Sequence, residues 1–408
     1  MNPSNDNADL GAFDVAIVGG GLAGQLCSLA LKARAPSLSV ALVEREVQLG
    51  GNHTWCCHRT DLALPGQDVT SMLAWFLPLV DVRWPHHRVR FPGFDRVLDG
   101  EYLCLRSATL GKTAHASLVR PGCAIFCGQA VASLDRHHVR LTSGKRISAH
   151  LVLDARGGVG MADPGCAGFQ KFVGWEIELS RPSPALDSMP TLMDGAVQQT
   201  DGFRFVYTLP FSRTRVLVED TYFSRGSDLD VNRIRQRLHA YITTRGMGDF
   251  QRVREESGVL PMPWEPTRRD SEDVATVGYR GGFFHPATGY SLGRAVVVAH
   301  RIAGLANSAP ASAWSTSTRD LLQTMRSAWS TDDDFARWLN WLAFRVVPPS
   351  WLRSAVYSPV YRLPPTTLER FYAGQTELSD RIALSLAPAH IPFFRPNAKH
   401  LPLLGENP

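Results

Sequence analysis

Phe13-Asp-Val-Ala-Ile-Val-Gly-Gly-Gly-Leu-Ala-Gly24 is the stretch that decides the fold of this 408-residue chain. Its apolar run predicts a buried strand over residues 13–18, and the glycines that follow open a helix expected over residues 22–34. A second apolar strand, residues 39–43, completes a strand–helix–strand unit. Such a unit starts a doubly wound, mostly parallel sheet, so the sequence predicts an α/β fold.

The glycine-rich turn matches a dinucleotide-binding pattern. Gly19 permits the tight turn, Gly21 lets the backbone approach a pyrophosphate, and Gly24 lets the helix pack close to the strand. The helix begins at Leu22 and Ala23, where free N–H groups and the positive end of the helix dipole attract phosphates. The turn therefore predicts a bound dinucleotide.

An acidic residue supports this prediction. Glu44 lies 20 residues beyond Gly24, at the end of the second strand. A carboxylate there accepts hydrogen bonds from the ribose hydroxyls and would repel a 2′-phosphate. The spacing favours FAD or NAD over a 2′-phosphorylated cofactor.

Two later segments favour FAD over NAD. Asp154 and Gly157 follow an apolar strand, where the backbone would approach the cofactor a second time. Residues 278–291, which include Gly289 and Tyr290, lead from another strand into a helix. This loop would direct a second helix N-terminus at the ligand, which a simple NAD domain does not need. The alternative is a glycine-rich loop without ligand contact.

The composition excludes several classes of protein. With 44% hydrophobic and 20% charged residues the chain is globular, and no basic block with interleaved aromatic residues suggests a nucleic-acid binder. No apolar run is long enough to span a membrane, and the start of the chain lacks a signal-peptide pattern. The seven irregularly spaced cysteines suggest neither a disulfide framework nor a metal site. We expect a cytoplasmic location.

A strand with two terminal acids provides a candidate catalytic group. In Arg215-Val-Leu-Val-Glu-Asp220, alternation sends Glu219 and Asp220 to opposite faces. Carboxylates in an apolar strand cost energy unless they are paired or kept protonated. One interpretation is a pair of surface salt bridges, with Arg204 or Arg213 as partners. The other is a general acid whose pKa is raised by apolar surroundings.

Aromatic residues surround this strand in the sequence. They could form an ordinary core, or an apolar tunnel whose ring faces stabilise a cation. The residues are Trp175, Phe203, Phe205, Tyr207, Phe211, Tyr222, Phe223, Phe283, Phe284 and Tyr290.

Several segments, spread along nearly the whole chain, match one known family and run in that family's order. They are Val18–Ala23, Gly50-Gly-Asn-His-Thr-Trp55, Gly168–Phe172, Phe203–Pro210, Thr214–Thr221, Phe284–Ser291 and Arg370–Gly374. In these segments the chain resembles the bacterial lycopene β-cyclases. The family fold is similar to the FAD-dependent hydroxylases. The resemblance thus implies a Rossmann-type FAD-binding domain, an antiparallel-sheet substrate domain and a C-terminal helical region.

The resemblance also implies an activity, a proton-initiated cyclisation of the ends of lycopene without net redox change. Family enzymes need reduced FAD, with NADPH or NADH as reductant. The resemblance makes Glu219 the essential carboxylate and Asp220 its neighbour, and whether Glu219 or the flavin delivers the first proton stays open. Phe205, Tyr207 and His285 are candidates for contact with the substrate or its cation.

His285 and Tyr290, on the loop at residues 278–291, are candidates to adjust the site, and Asn52 and His53 are weaker candidates. A rival interpretation is a redox flavoenzyme, either a hydroxylase or a prenyl-group reductase, and another is a flavin-binding protein without chemistry. The loop at 278–291 lacks the Gly-Asp pair typical of flavin hydroxylases, which argues against a monooxygenase.

We expect four regions and a membrane contact. The regions are residues 11–165 with 272–310 for FAD, 166–271 for the substrate sheet, 311–390 for the helices and 391–408 for an irregular tail. Lycopene resides in the bilayer, so the expected partners are lycopene, a membrane surface bound peripherally and other carotenoid-pathway enzymes. Residues 335–353, with Trp338, Trp341, Phe344, Trp351 and flanking arginines, are the candidate contact. A buried core helix is the alternative.

Overall fold

Two β-sheets organise the part of the chain that the computed structural model describes. Described are residues 9–63, 69–157, 165–266, 273–347 and 356–387. The strands are β1 Asp9–Val18, β2 Val40–Val43, β3 Thr54–His58, β4 Val82–Phe91, β5 Phe94–Arg106, β6 Ala124–Phe126, β7 Val131–Leu134, β8 His138–Leu141, β9 Arg146–Asp154, β10 Ala167–Leu179, β11 Thr191–Asp194, β12 Phe203–Pro210, β13 Arg215–Ser224, β14 Phe250–Pro263 and β15 Ala275–Thr276.

Helices cover the sheets and form the C-terminal region. They are α1 Leu22–Arg34, α2 Val69–Phe76, α3 Ser107–Leu118, α4 Val231–Thr244, α5 Leu292–Ser308, α6 Trp314–Trp341, α7 Pro365–Ala373 and α8 Leu378–Leu386. A π-helical turn, Leu342–Val346, continues α6.

The first sheet has seven strands in the order β6-β2-β1-β9-β8-β7, with β15 paired to β9. β1 runs parallel to β2 and β9. Val15 and Ile17 pack into the core beneath α1 and α5, whereas Ala16 and Val18 belong to the cluster on the opposite face. Both faces of β1 are therefore buried, as parallel sheets require. The predicted strand–helix–strand unit is confirmed, and so are the returning strand β15 and the helix that begins after Ser291.

The second sheet has eight strands in the order β14-β10-β13-β12-β11-β4-β5-β3. Residues 54–106 contribute three of these strands, although the sequence analysis grouped them with the nucleotide domain. The pattern of residues 83–106 predicts short strands and turns, yet β4 and β5 make one long hairpin. Pro85 does not end β4, because it lies where the register shifts between Trp84 and His86.

The C-terminal helices are tied to both sheets by buried polar contacts. The Arg294 guanidinium in α5 donates to the Asp333 carboxylate in α6 at 2.7 and 3.1 Å. The Asn340 amide of α6 donates to the backbone oxygens of Pro263 and Pro286 at 2.9 and 2.8 Å. α6 is thereby held beside the end of β14 and beside the loop that precedes α5.

Candidate functional site

One cavity of about 1520 Å³ joins the two sheets and the C-terminal helices. Its wall includes the glycine-rich loop after β1, side chains of β12 and β13, and residues near the ends of α6 and α8. The cavity exceeds the roughly 300–1,000 Å³ of ordinary small-molecule pockets. It has room for an extended ligand, or for two ligands side by side.

The glycine-rich loop forms the dinucleotide part of the wall. Gly19 has a φ of 109°, and Gly21 caps α1 at the cavity surface. A Cβ added at Gly21 would meet nothing within 4 Å, so a phosphate has open space to approach the backbone. Leu22 and Ala23 complete this wall, and the first N–H groups of α1 point out of the helix start.

Glu44 lies at the cavity wall, as the sequence predicts. Its carboxylate accepts hydrogen bonds from the backbone N–H groups of Gly20, at 2.6 Å, and Glu46, at 2.9 Å. These bonds fix the carboxylate beside the glycine-rich loop, and its remaining lone pairs can accept from ribose hydroxyls. The residues present fit a dinucleotide.

Two predicted cofactor residues have a different role in the structure. A Cβ at Gly24 would lie 1.9 Å from the Gly19 carbonyl oxygen, so Gly24 serves the packing of α1 on β1 rather than the described wall. The Asp154 carboxylate accepts from the Arg156 guanidinium at 2.7 and 2.8 Å and does not line the cavity among the described residues. Gly157 does line it and provides the second backbone approach.

The loop before α5 brings Gly289 and Tyr290 to the wall. It closes on itself, because the Gly289 N–H donates to the His285 oxygen and the His285 N–H donates to the Tyr290 oxygen, at 2.9 and 2.8 Å. The His285 ring is buried against Phe371 instead, outside the described cavity wall. Burial and the Arg294 charge lower the pKa of His285 to about 3, so the ring is neutral. Nothing in the described cavity wall supports its predicted contact with the substrate, which stays a prediction.

Glu219 is buried in β13 and lines the cavity. Its Oε1 accepts a hydrogen bond from the Thr221 hydroxyl at 2.7 Å. Burial, followed by the nearby Glu256 carboxyl, raises the pKa of Glu219 to about 8, against the lowering effect of the Thr221 hydrogen bond. A carboxyl group with this pKa holds its proton at neutral pH and can donate it to a weak base.

Asp220 lies on the opposite face of β13, away from the cavity. Its carboxylate accepts from the Arg204 guanidinium at 2.7 and 3.0 Å and from the Tyr222 hydroxyl at 2.9 Å. The salt-bridge interpretation is therefore right for Asp220, with a buried rather than a surface pair, and wrong for Glu219. The geometry gives Asp220 a structural role rather than the predicted catalytic one.

Aromatic rings line the cavity around Glu219. The Phe205 and Phe223 rings meet edge to face at 5.3 Å, and Tyr207 lies opposite Glu219 in the strand register. Tyr222 and Phe283 belong to the ordinary core instead. The sequence analysis missed Tyr102, whose hydroxyl group lies 2.9 Å from that of Tyr207 and 2.7 Å from that of Tyr290. Only strand pairing reveals this triad of hydroxyl groups.

Of the two candidate residues before β3, Asn52 and His53, the structure brings one to the cavity wall. His53 is exposed on the cavity wall, where partial desolvation followed by the Arg254 charge lowers its pKa. Asn52 is exposed, and its amide donates to the backbone oxygen of Glu255. Only His53 is placed to contact a ligand.

The family match and the similar curated proteins agree on one family. Residues 14–398 match the family described as "Lycopene cyclase protein". The chain is 38% identical to a lycopene beta-cyclase from a Paracoccus species, over 93% of this chain and 95% of that protein. It is 35% identical to the lycopene beta-cyclase of Pantoea ananas, over 93% of this chain and 96% of that protein.

Solved structures share the fold at low sequence identity. A geranylgeranyl bacteriochlorophyll reductase-like protein from Thermoplasma acidophilum superposes with a TM-score of 0.61 at 14% identity, covering 93% of this chain and 96% of that one. A probable FAD-dependent monooxygenase from Pseudomonas aeruginosa gives 0.55 at 15% identity, covering 92% and 99%. The predicted fold class is confirmed.

Two glycine variants should separate packing from ligand binding. Gly24→Ala places a methyl group against the Gly19 carbonyl, so it should cost about 1–3 kcal/mol of unfolding free energy or more. Gly21→Ala meets open space and should cost under about 1 kcal/mol, yet weaken FAD binding. Urea unfolding of the cofactor-free variants measures the free energy of unfolding, and a flavin titration measures the affinity for FAD. Wild-type stability in Gly24→Ala would contradict the packing role.

The buried ion pair gives a stability prediction. Asp220→Asn leaves the Arg204 charge buried without its partner, so the free energy of unfolding should fall by about 3–5 kcal/mol. Asp273→Asn, in the exposed pair with Arg136, is the matched control and should stay within about 0.5 kcal/mol of wild type. Urea unfolding compares them, and equal losses would refute the assignment of Asp220.

Proposed function

This chain belongs to the lycopene cyclase family, and on that premise we propose that it is a lycopene β-cyclase in which Glu219 is the acid. The observation that carries the proposal is a carboxyl group buried at the wall of a large aromatic cavity, with a pKa raised to about 8. The full-length likeness to bacterial lycopene beta-cyclases supports the same substrate and product class.

The cofactor we propose is FAD, with NADPH or NADH as the reductant. Gly21, Leu22, Glu44, Gly157 and Gly289 would hold it, since all five line the cavity. When bound and reduced, FAD supplies an electron-rich ring system that stabilises positive charge. The description of one fold neighbour as a probable FAD-dependent monooxygenase supports this choice.

The reaction we propose begins at Glu219. The protonated carboxyl group donates its proton to the terminal double bond of a ψ-end, and the Thr221 hydroxyl holds the carboxyl group in place. The distant alkene then closes a six-membered ring on the tertiary cation. Loss of one ring proton to a base forms the β double bond. One proton enters and one leaves, so lycopene and the cyclic product are isomers.

The cavity wall protects the cation. The faces of Phe205, Tyr207 and Phe223 can each stabilise a nearby cation by roughly 0.5–2 kcal/mol. Because the wall is largely apolar, it also keeps water from hydrating the cation. His285 and Asp220 take no part in this proposal, since neither reaches the described wall.

We also propose that the cavity mouth lies against a membrane. Among the described residues, no helix combines the length and apolar character needed to cross a bilayer. α8 exposes three apolar side chains at a spacing of four residues, and the end of α6 exposes two tryptophans. They are Leu378 at 74%, Ile382 at 52%, Leu386 at 55%, Trp338 at 43% and Trp341 at 44% exposure.

This exposed apolar face borders the cavity. Leu384 and Ser385 of α8 and Leu339 of α6 line the cavity from the inside. The two helices meet where the Arg381 guanidinium lies 5.9 Å from the Phe335 ring centre. A bilayer contact here would pass an apolar polyene into the cavity without crossing water. Trp338 and Trp341 belong to the predicted contact segment, whereas Phe344 is buried and Trp351 lies outside the described residues.

Replacement of the proposed acid tests the chemistry. Glu219→Gln should lower turnover of lycopene in liposomes, with FAD and NADPH, by about 10²–10⁴-fold, because an amide cannot donate the proton. Glu178→Gln, on the half-exposed end of β10, is the control and should retain activity. Chromatography with mass spectrometry should show product of unchanged mass and only catalytic use of reductant. A product that gains oxygen or hydrogen would indicate a hydroxylase or reductase instead.

Charged substitutions test the membrane face. The double variant Ile382→Glu, Leu386→Glu should bind phosphatidylethanolamine–phosphatidylglycerol vesicles at least about tenfold more weakly, a loss of about 1.4 kcal/mol. Val119→Glu, at an exposed site beyond α3, should bind like wild type. Vesicle sedimentation measures both, and unchanged binding of the double variant would rule out this face.

A further inference from the structure

A glycine separates Glu219 from a second buried carboxyl group. In the register of the sheet, Gly174 of β10 pairs with Glu219 of β13 on one side and with Glu256 of β14 on the other. Directly paired residues of antiparallel strands project to the same face. A Cβ at Gly174 would lie 3.4 Å from the Glu219 Cβ and 3.3 Å from the Glu256 Cγ. The two carboxyl side chains therefore lean over the space that a side chain at 174 would fill.

The two members of this pair have different partners. Glu256 is 3% exposed, and its Oε2 accepts from the Arg254 guanidinium at 2.7 Å and from the Thr54 hydroxyl at 3.2 Å. Glu219 accepts from the Thr221 hydroxyl. Burial raises the pKa of both carboxyl groups, while the Arg254 guanidinium lowers that of Glu256 by its charge and a hydrogen bond. Two neighbouring buried carboxyl groups cannot both ionise cheaply, so one of them keeps its proton. The cation beside Glu256 favours the charge there and the proton on Glu219.

We propose that Glu256 is a positioning residue, the ionised member of a carboxyl pair whose charge keeps Glu219 protonated. Glu256 does not line the cavity among the described residues, so it acts through Glu219 and not on the substrate. The inference rests on the proposed function of Glu219 as the acid. It explains why β10 carries a glycine at the centre of an otherwise bulky strand, Phe172-Val-Gly-Trp-Glu176.

Other charged or titratable groups near Glu219 are matched by partners of their own. Asp220 on the same strand is paired with Arg204 on the other face. Arg254 is shared with Glu176, to which its Nε donates at 2.8 Å. The charged groups that act on Glu219 from a neighbouring element are Glu256 and Arg254 of β14, and Tyr207 of β12 lies opposite it in the register. Glu176 of β10 contacts Arg254, Thr54 of β3 contacts Glu256, and His53 lines the same cavity.

The pH dependence of turnover provides the test. Burial and Glu256 raise the pKa of Glu219 to about 8, and the acid works in its protonated form. In the wild-type holoenzyme, kcat should be level below pH 8 and fall about tenfold per pH unit above it. Glu256→Gln removes a negative charge and leaves Arg254 in place, so the fall should begin at least about one pH unit lower. Glu256→Asp keeps the charge and should restore most of the wild-type profile.

Two further variants make the result decisive. Glu255→Gln changes the adjacent residue, whose carboxylate pairs with Arg235 and Trp175 instead, and should leave the profile unchanged. If Glu256→Gln does not fold, Thr54→Val removes one hydrogen bond to the ionised Glu256 and should shift the fall in the same direction by a smaller amount.

The outcomes separate two failures. A wild-type profile without a fall near pH 8 would count against Glu219 as the acid. A wild-type fall near pH 8 that stays in place in Glu256→Gln, or in Thr54→Val when Glu256→Gln does not fold, would overturn the role of Glu256 alone. An equal shift in Glu255→Gln would also overturn it.

Discussion

The cost of placing a negative charge in an apolar wall governs this site. Glu219 is buried beside aromatic rings, and it meets Thr221 rather than a basic group at hydrogen-bond distance. Burial without a cation penalises the ionised form, so the carboxyl group keeps its proton into the neutral range. The same apolar surroundings that keep the carboxyl group protonated, and so able to donate to an alkene, also shelter the cation that results.

Side chains alternate between the two faces of a β-strand, so β13 can place two adjacent acids in different environments. Adjacent residues of β13 face opposite sides, so Glu219 enters the cavity and Asp220 enters the core behind it. Asp220 obtains a bidentate guanidinium partner in Arg204 and is stabilised as an ion. The strand thus carries a protonated acid on one face and a permanent charge on the other.

Features local in sequence were predictable, and those that depend on strand pairing were not. The unit around Gly19, Gly21 and Glu44 follows from spacing alone. The two acids that the sequence placed at the end of an apolar strand lie instead in the middle of β13, which continues to Ser224. The sequence did not reveal which of two adjacent acids faces the cavity, nor that Asp154 binds Arg156. The pairing of Glu219 with Glu256 was not predictable either. It depends on the register between β10 and β14, in which Gly174 lies opposite Glu256, a residue 82 positions further along the chain. A turn pattern also cannot show where a side chain such as His285 points.

The most direct test of this account is an infrared titration of the Glu219 carboxyl group in the cofactor-free protein. The difference spectrum between wild type and Glu219→Gln, recorded in D₂O, isolates the C=O stretch of the protonated group. The account predicts that this band persists at neutral pH and disappears with a midpoint of about 8. A band lost near the ordinary pKa of a glutamate, about 4.3, would contradict it.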